Sequence, residues 1–211
     1  MEFLRDGGEI RTMLYTDSTY EDDDIKIGEI SSYPFGETAE MTVVRKTGEI
    51  HLLKLRSPVC AKLTVQYDRK DLPLDEASDG YLTLNLDEMP EKFTLRLKFS
   101  VKAELHECEI DGKKVDFGQY GPVLLTAEIL DDTDFDTLCD PLAPREKLEK
   151  ASAFYLERLK KLSIPRGAVL KPVKADGAKI AFSADGVLFK DYASAGRANR
   201  AIYTTYINVL E

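Results

Sequence analysis

The sequence Lys92-Phe-Thr-Leu-Arg-Leu-Lys-Phe-Ser-Val101 decides the fold class of this chain. Apolar and polar residues alternate along it. The apolar set is Phe93, Leu95, Leu97, Phe99 and Val101. A period of two over this length predicts a β-strand with one buried face and one face in water.

Further short segments with strand character lie on both sides of this stretch. They cover residues 9–17, 25–31, 39–45, 51–58, 62–67, 80–86, 103–110, 113–117, 123–130, 168–172, 179–183, 187–190 and 201–210. Turn signals such as Asp79-Gly80 and Asp111-Gly112 separate them. Short, evenly spaced strands favour antiparallel pairing. We therefore predict a mainly β fold, an antiparallel β-sandwich of the jelly-roll-like kind.

The one convincing helical pattern covers residues 144–162 and predicts a helical insertion near residues 144–163, within residues 141–164. Its apolar stripe is Leu148, Ala151, Tyr155, Leu159 and Leu162. Pro165 prevents the helix from continuing much beyond residue 163. No repeat or low-complexity linker interrupts the chain, so we predict a single domain over residues 1–211 with this helical insertion.

Composition narrows the classes of partner. The chain has 211 residues, 43% of them hydrophobic, and a formal net charge of -9. This charge disfavours nucleic acid and suits neutral partners such as sugars or other proteins. No apolar run is long enough for a signal peptide or a membrane span, so the expected location is cytoplasmic and no membrane partner is expected.

Residues suited to metal binding or catalysis are present, but their patterns are incomplete. The run Asp22-Asp-Asp24 could bind calcium or form a solvated loop. Asp132-x-Asp134-x-Asp136 has the spacing of a calcium loop, but Thr137 stands where an EF-hand loop needs glycine. Neither His51 nor His106 lies near a nucleophile motif, and 38 acidic residues make any carboxylate pair uninformative. We predict no catalytic residue, no metal and no cofactor.

The three cysteines, Cys60, Cys108 and Cys139, are odd in number and far apart. This number and spacing disfavour a disulfide framework and a Cys-x-x-Cys zinc site. We expect each cysteine to be a small buried side chain. Ten tyrosines and no tryptophan are present. Exposed aromatic rings can stack on the apolar faces of sugars. Tyr33, Tyr81 and Tyr203 are the candidates for carbohydrate binding, and the alternative is that such tyrosines are half-buried at strand ends.

Several short motifs resemble one enzyme family. In order, they are Met13-Leu-Tyr-Thr-Asp-Ser18, Ser32-Tyr-Pro-Phe35, Leu53-Lys-Leu-Arg-Ser-Pro-Val-Cys-Ala61, Gly80-Tyr-Leu-Thr-Leu84, Tyr120-Gly-Pro-Val-Leu-Leu125 and Ile202-Tyr-Thr-Thr-Tyr206. They are similar to the β-sandwich region that follows the catalytic barrel in bacterial β-L-arabinofuranosidase-type glycoside hydrolases, family 127. The resemblance extends from about Glu9 to Val209.

The resemblance implies a non-catalytic role. In such enzymes catalysis is expected from cysteine and glutamate residues around a zinc ion within the barrel, and nothing here matches that motif. Cys60 also stands where the family has a tryptophan. The implied role is an accessory β-sandwich that packs on a catalytic-barrel protein or mediates homo-oligomer contacts. Tyr120, Gly121 and Pro122 are the expected contact, because the resemblance is densest there.

Two alternatives belong to other classes of protein. The first is a free-standing carbohydrate-binding module, which requires a shallow groove with exposed tyrosines. The second is an independent hydrolase, which requires two convergent carboxylates with raised pKa in one cleft.

Overall fold

The computed structural model describes residues 2–74, 76–129, 142–195 and 202–210. The chain divides into two compact units, Met1–Val101 and Lys102–Glu211. The organisation as one domain with a helical insertion stays a prediction.

The first unit contains two sheets. Its strands are β1 (Phe3–Asp6), β2 (Glu9–Thr12), β3 (Ser18–Glu21), β4 (Ile25–Ser31), β5 (Thr38–Arg45), β6 (Leu52–Arg56), β7 (Ala61–Tyr67), β8 (Lys70–Asp71), β9 (Tyr81–Asn85) and β10 (Lys92–Val101). A 3-10 helix, Leu86–Glu88, follows β9. The strand orders are β1-β2-β6-β9 and β3-β4-β5-β10-β7-β8. All pairs are antiparallel except β2 with β6, which are parallel.

Strand β10 lies at the centre of the six-stranded sheet, as its sequence suggests. It pairs with β5 and β7, so that Leu97 is opposite Ala39 on one side and Val65 on the other. Its burial alternates residue by residue from Phe93 to Phe99, which confirms the predicted buried and wet faces. The buried side chains of both sheets form one hydrophobic cluster, which contains Phe93, Leu95, Leu97 and Phe99.

The second unit contains one larger sheet and a helix. Its elements are β11 (Ala103–Ile110), β12 (Lys113–Tyr120), β13 (Val123–Ile129), α1 (Arg145–Lys161), β14 (Ser163–Pro165), β15 (Lys171–Pro172), β16 (Ala181–Ala184), β17 (Val187–Asp191), β18 (Ile202–Thr204) and β19 (Ile207–Leu210). The order is β14-β19-β12-β13-β17-β16-β15, with β11 paired to β12 and β18 paired to β13. Leu125, Phe189 and Ile207 lie in its core.

The Asp-Gly hairpin signals are confirmed by backbone conformation. Asp111 and Gly112 have φ values of 50° and 74°, and Asp185 and Gly186 have values of 48° and 80°. Two successive residues with positive φ match the twist of the flanking antiparallel strands, and glycine adopts such values without steric cost.

The mainly β class is confirmed, and the helix lies within the predicted 144–163 range. Some boundaries differ. The predicted first strand ends at Thr12, and the predicted strand over 201–210 is two strands on either side of residues 205–206. There Thr204 bonds with both the amide and the carbonyl of Tyr206 through its hydroxyl. No helix in the described part of the chain has the length and apolarity of a membrane span.

Candidate functional site

An aromatic cluster in the first unit contains one of the tyrosines chosen from the sequence. The Tyr33 ring stacks on Phe99 with 4.3 Å between centroids, and Tyr15 meets the Phe99 ring edge-on at 4.8 Å. The Tyr15 hydroxyl donates to the carbonyl oxygen of Arg56 at 2.7 Å. Burial raises the pKa of this hydroxyl. The Tyr33 hydroxyl lies 3.7 Å from the Cys60 Sγ atom.

Tyr81 lies close enough to influence the same buried tyrosine. Burial is the main cause of the raised pKa of Tyr15, and the nearby Tyr33 and Tyr81 hydroxyls add to it. The Tyr81 hydroxyl donates to the Sδ atom of Met13 at 3.4 Å. Tyr33 and Tyr81 are half-buried, which agrees with the alternative that these tyrosines are partly covered at strand ends. Their role in sugar binding stays a prediction. The side chain of Tyr203 falls outside the described residues.

Glu29 is an unexpected acid in the core of this unit. It is 3% exposed, and it shares the buried face of β4 with Ile25 and Ile27. Neither carboxylate oxygen has a hydrogen-bond partner among the described residues. Burial, with smaller contributions from Asp17 and Glu2, raises the pKa of Glu29 to about 8. The backbone amide of Thr16 makes the smallest contribution and lowers this pKa, although it forms no hydrogen bond of ordinary geometry with Glu29. The carboxyl is therefore mostly protonated at neutral pH.

Sequence reasoning missed Glu29, although a signal for it exists. In β4, residues 25, 27 and 29 share one face under a period of two, so the pattern that buries Ile25 and Ile27 also buries Glu29. Burial of an ionised carboxylate without a hydrogen-bond partner costs free energy. The protonated form is therefore favoured, and the pKa rises.

Two carboxylates of the acidic run over residues 22–24 form ion pairs and hydrogen bonds within the first unit. Arg5 pairs with both Asp22 and Asp24 at 2.7 Å. Asp22 also accepts hydrogen bonds from the Tyr20 hydroxyl and from the amides of Asp24 and Ile25. Burial opposes ionisation of Asp22, but these donors outweigh it and lower its pKa. The oxygens that a calcium ion would need are thus already bonded to protein donors.

An open depression of about 500 Å³ lies in the second unit. Its lining includes Leu105, Asp116 and Val169. Burial, followed by the charge of Glu107, raises the pKa of Asp116. Glu107 stands directly opposite Asp116 in the β11–β12 pair, and its own pKa is lowered by hydrogen bonds from Lys114 and Arg166. This pair lacks the two raised pKa values that the independent-hydrolase alternative requires.

A second depression, of about 440 Å³, lies on the four-stranded sheet of the first unit. Arg11 and His51 are among its lining residues. The Arg11 Nε atom donates to Glu9 at 2.6 Å, and His51 Nδ1 lies 2.9 Å from Asp87. Arg11 and His51 are therefore already paired with carboxylates of the same unit.

The predicted contact Tyr120-Gly121-Pro122 forms the turn from β12 to β13. The Tyr120 ring packs against Phe182 with 5.4 Å between centroids, and Gly121 is buried with φ of 54°. Pro122 is exposed, and Leu124 beyond it is 38% exposed. Two of the three residues thus serve the second unit itself, and contact with a partner stays a prediction.

The remaining candidates are cysteines, histidines and acids. Cys60 and Cys108 are free thiols and half-buried, less buried than predicted. His106 packs on Phe117 with ring centroids 5.3 Å apart. Cys139 and the acids Asp131, Asp132, Asp134, Asp136 and Asp140 lie outside the described residues. Among the residues that the structure describes, no group of three or more His, Cys, Asp or Glu side chains could hold a metal ion.

Comparison with known proteins gives matches in structure only. Neither a protein-family model nor a curated protein matches the sequence. A GH127 β-L-arabinofuranosidase from Geobacillus stearothermophilus T6 matches 99% of this chain with a TM-score of 0.72 and 16% identity. A protein described as a glycoside hydrolase matches 96% with a TM-score of 0.67 and 12% identity. A second GH127 β-arabinofuranosidase matches 99% with a TM-score of 0.67 and 10% identity.

The chain spans about a third of the length of these structures, 35% of the first and 36% of the other two. At such identities the likeness establishes the fold. The resemblance to part of GH127 β-L-arabinofuranosidases is confirmed at that level.

Proposed function

We propose that this chain is a non-catalytic accessory β-sandwich of a glycoside hydrolase, which packs on a catalytic partner or mediates contacts between copies. One observation carries the proposal: 99% of the chain matches only 35% of a β-L-arabinofuranosidase. Two thirds of such an enzyme has no counterpart in this chain, and we assign the chemistry to that portion.

The contacts made by the two histidines and by Cys60 support a non-catalytic role. His51 is bonded to Asp87, His106 is packed on Phe117, and Cys60 is in contact with Tyr33. A nucleophile needs a general base within hydrogen-bond reach and a third group that orients the base. None of these three contacts joins a thiol to a histidine or a carboxylate.

The exposed turn at Pro122 is the proposed contact with the partner, together with Leu124. An apolar residue exposed next to a proline turn can be buried by association without rearranging the strands that hold it. A two-fold contact between copies would use this surface on both of them.

The test is affinity purification of the tagged chain from a lysate of its source, followed by mass spectrometry and assay with an aryl β-L-arabinofuranoside. We expect capture of a larger protein with glycosidase activity, or self-association seen by light scattering. Leu124→Glu should abolish the capture, whereas Val169→Glu, at a position 68% exposed, should leave it unchanged. A monomer that captures no glycosidase contradicts the proposal.

The alternative is a free-standing carbohydrate-binding module. The observation that favours it is the position of Tyr33 and Tyr81. Both lie near enough to Tyr15 to interact with it electrostatically, and both are partly accessible to solvent. Glycan-array binding that is lost in Tyr81→Ala and retained in Tyr81→Phe would support this function, because stacking needs the ring and not the hydroxyl. An absence of binding to every glycan would exclude it.

A further inference from the structure

The outward-pointing residues of β5, β7 and β10 form a surface that we name the basic face. It carries four cations and one carboxylate. The cations are Lys62, Lys92, Arg96 and Lys98, and the carboxylate is Glu40. The chain as a whole has a formal net charge of -9. The basic face is therefore opposite in sign to the protein that carries it.

These cations have no partner within the described part of the chain. No ion pair or hydrogen bond joins the side chain of Lys62, Arg96 or Lys98 to another described residue. Glu40 stands directly opposite Arg96 in the β5–β10 pair, yet the two form no ion pair. Elsewhere on the same sheet, Lys26 does bond to Glu21, at 2.8 Å. The donors of the basic face are thus available to a ligand.

The spacing of the cations follows from strand register. Arg96 and Lys98 are two residues apart on β10, which places their Cα atoms about 7 Å apart. Lys62 is opposite Ser100, so it is a diagonal neighbour of Lys98 at about 7–8 Å. Three like charges at neighbouring positions of one sheet face repel one another, and an anionic ligand relieves that repulsion.

Hydroxyl groups lie between and beside the cations. Thr38 and Thr64 flank Lys98 on the two neighbouring strands. Ser100 and Thr94 continue the outward row of β10 at exposed positions. The Thr94 hydroxyl contacts that of Thr42, and the Thr38 hydroxyl contacts that of Ser32. Each hydroxyl has one donor and two acceptor sites, so capacity for a further hydrogen bond remains. The surface therefore combines isolated positive charges with neutral hydrogen-bonding groups.

We propose that the basic face binds a polyanionic polysaccharide whose carboxylates contact Lys62, Arg96 and Lys98 and whose hydroxyls contact the neighbouring threonines. A protein partner would require an apolar centre, whereas Val44 is the one large apolar side chain among the outward residues of these strands and the neighbouring strand β4 adds Ile30 alone. Single-stranded nucleic acid would require aromatic rings for base stacking, and these outward positions carry none. The inference stands on this surface alone and does not depend on the proposed function.

The test is affinity electrophoresis of the full chain in gels that contain polygalacturonate, its fully methyl-esterified form, or single-stranded DNA. The ester keeps the hydroxyls and removes the charge. The test variant is Lys62→Gln/Arg96→Gln/Lys98→Gln. The control is Arg145→Gln/Lys147→Gln/Lys150→Gln, which removes three exposed cations from α1 and gives the same net charge. Circular dichroism checks that both variants fold.

We expect polygalacturonate to retard the wild-type chain and the α1 control, more weakly as salt rises, because release of counterions contributes to binding. The test variant should bind at least about tenfold more weakly, which corresponds to about 1.4 kcal/mol. Absence of retardation, equal retardation by the methyl ester, or equal binding by the test variant would each overturn the proposal. Retardation by DNA as strong as by polygalacturonate would overturn the assignment to a polysaccharide.

Discussion

Replacement of Glu29 by glutamine tests the central electrostatic feature of the first unit. The carboxyl is buried, has no hydrogen-bond partner among the described residues, and has a pKa of about 8 against an ordinary value of 4.5. Below pH 4.5 both the folded and the unfolded states hold the proton. Between pH 4.5 and 8 only the unfolded state ionises, so the free energy of unfolding falls as pH rises.

The magnitude follows from the size of the pKa shift. Each unit of difference corresponds to about 1.4 kcal/mol, which gives an upper limit of about 5 kcal/mol across the interval. Solvent screening of the shift as a whole reduces the expected change to about 2–3 kcal/mol. Glutamine has nearly the same shape and no charge to lose. Glu29→Gln should therefore gain about 2–3 kcal/mol over the wild type between pH 4.5 and 8.

The assay is urea unfolding at several pH values from 4.5 to 9, followed by circular dichroism. The difference in free energy of unfolding between Glu29→Gln and wild type should rise with pH and become constant above pH 8. The buried amide adds a constant offset, so the slope with pH is the diagnostic quantity. Glu40→Gln is the matched control, because it removes an exposed acid from the adjacent strand and leaves Glu29 in place. Parallel pH profiles for wild type and Glu29→Gln would refute the reasoning.

Three further substitutions test the packing. Phe99→Ala removes the ring between Tyr15 and Tyr33, and chemical denaturation should show a loss of about 3–5 kcal/mol. Gly118→Ala places a Cβ atom 3.2 Å from the Leu125 Cβ atom, and thermal unfolding should show a loss of about 1–3 kcal/mol. Asp22→Ala leaves two backbone amides and the Tyr20 hydroxyl without their acceptor and Arg5 with Asp24 alone, and urea unfolding should show a loss of about 1–3 kcal/mol. A change below about 0.5 kcal/mol at any of these positions would contradict the corresponding contact, because that is the range of ordinary surface substitutions.

The elements that sequence predicts well are those with local signals. Strand β10 is defined by its own alternation, and the Asp111-Gly112 hairpin by two residues that favour positive φ. The short strands β3 and β14 have no comparable pattern, because their pairing depends on β4 and β19. The parallel pairing of β2 with β6 is also non-local, since more than thirty residues separate the two strands.

The division into two units lacks a sequence signal for a physical reason. Strand β10 ends at Val101 and β11 begins at Ala103, so Lys102 alone connects them. A boundary of one residue shows no change in composition and no run of flexible residues. Linker-based reasoning detects boundaries only where the connection is long or biased in composition.

The basic face also depends partly on local sequence pattern and partly on the pairing of distant strands. The alternation of β10 already separates Arg96 and Lys98 from the buried face, so their exposure follows from sequence. That Lys62 joins them depends on the register of β7 against β10, which the sequence does not specify by itself. A shift of that register by one residue would turn Lys62 into the core and Leu63 outward. Because burial of Leu63 and Val65 opposes such a shift, the hydrophobic core determines the arrangement of charges on the opposite face.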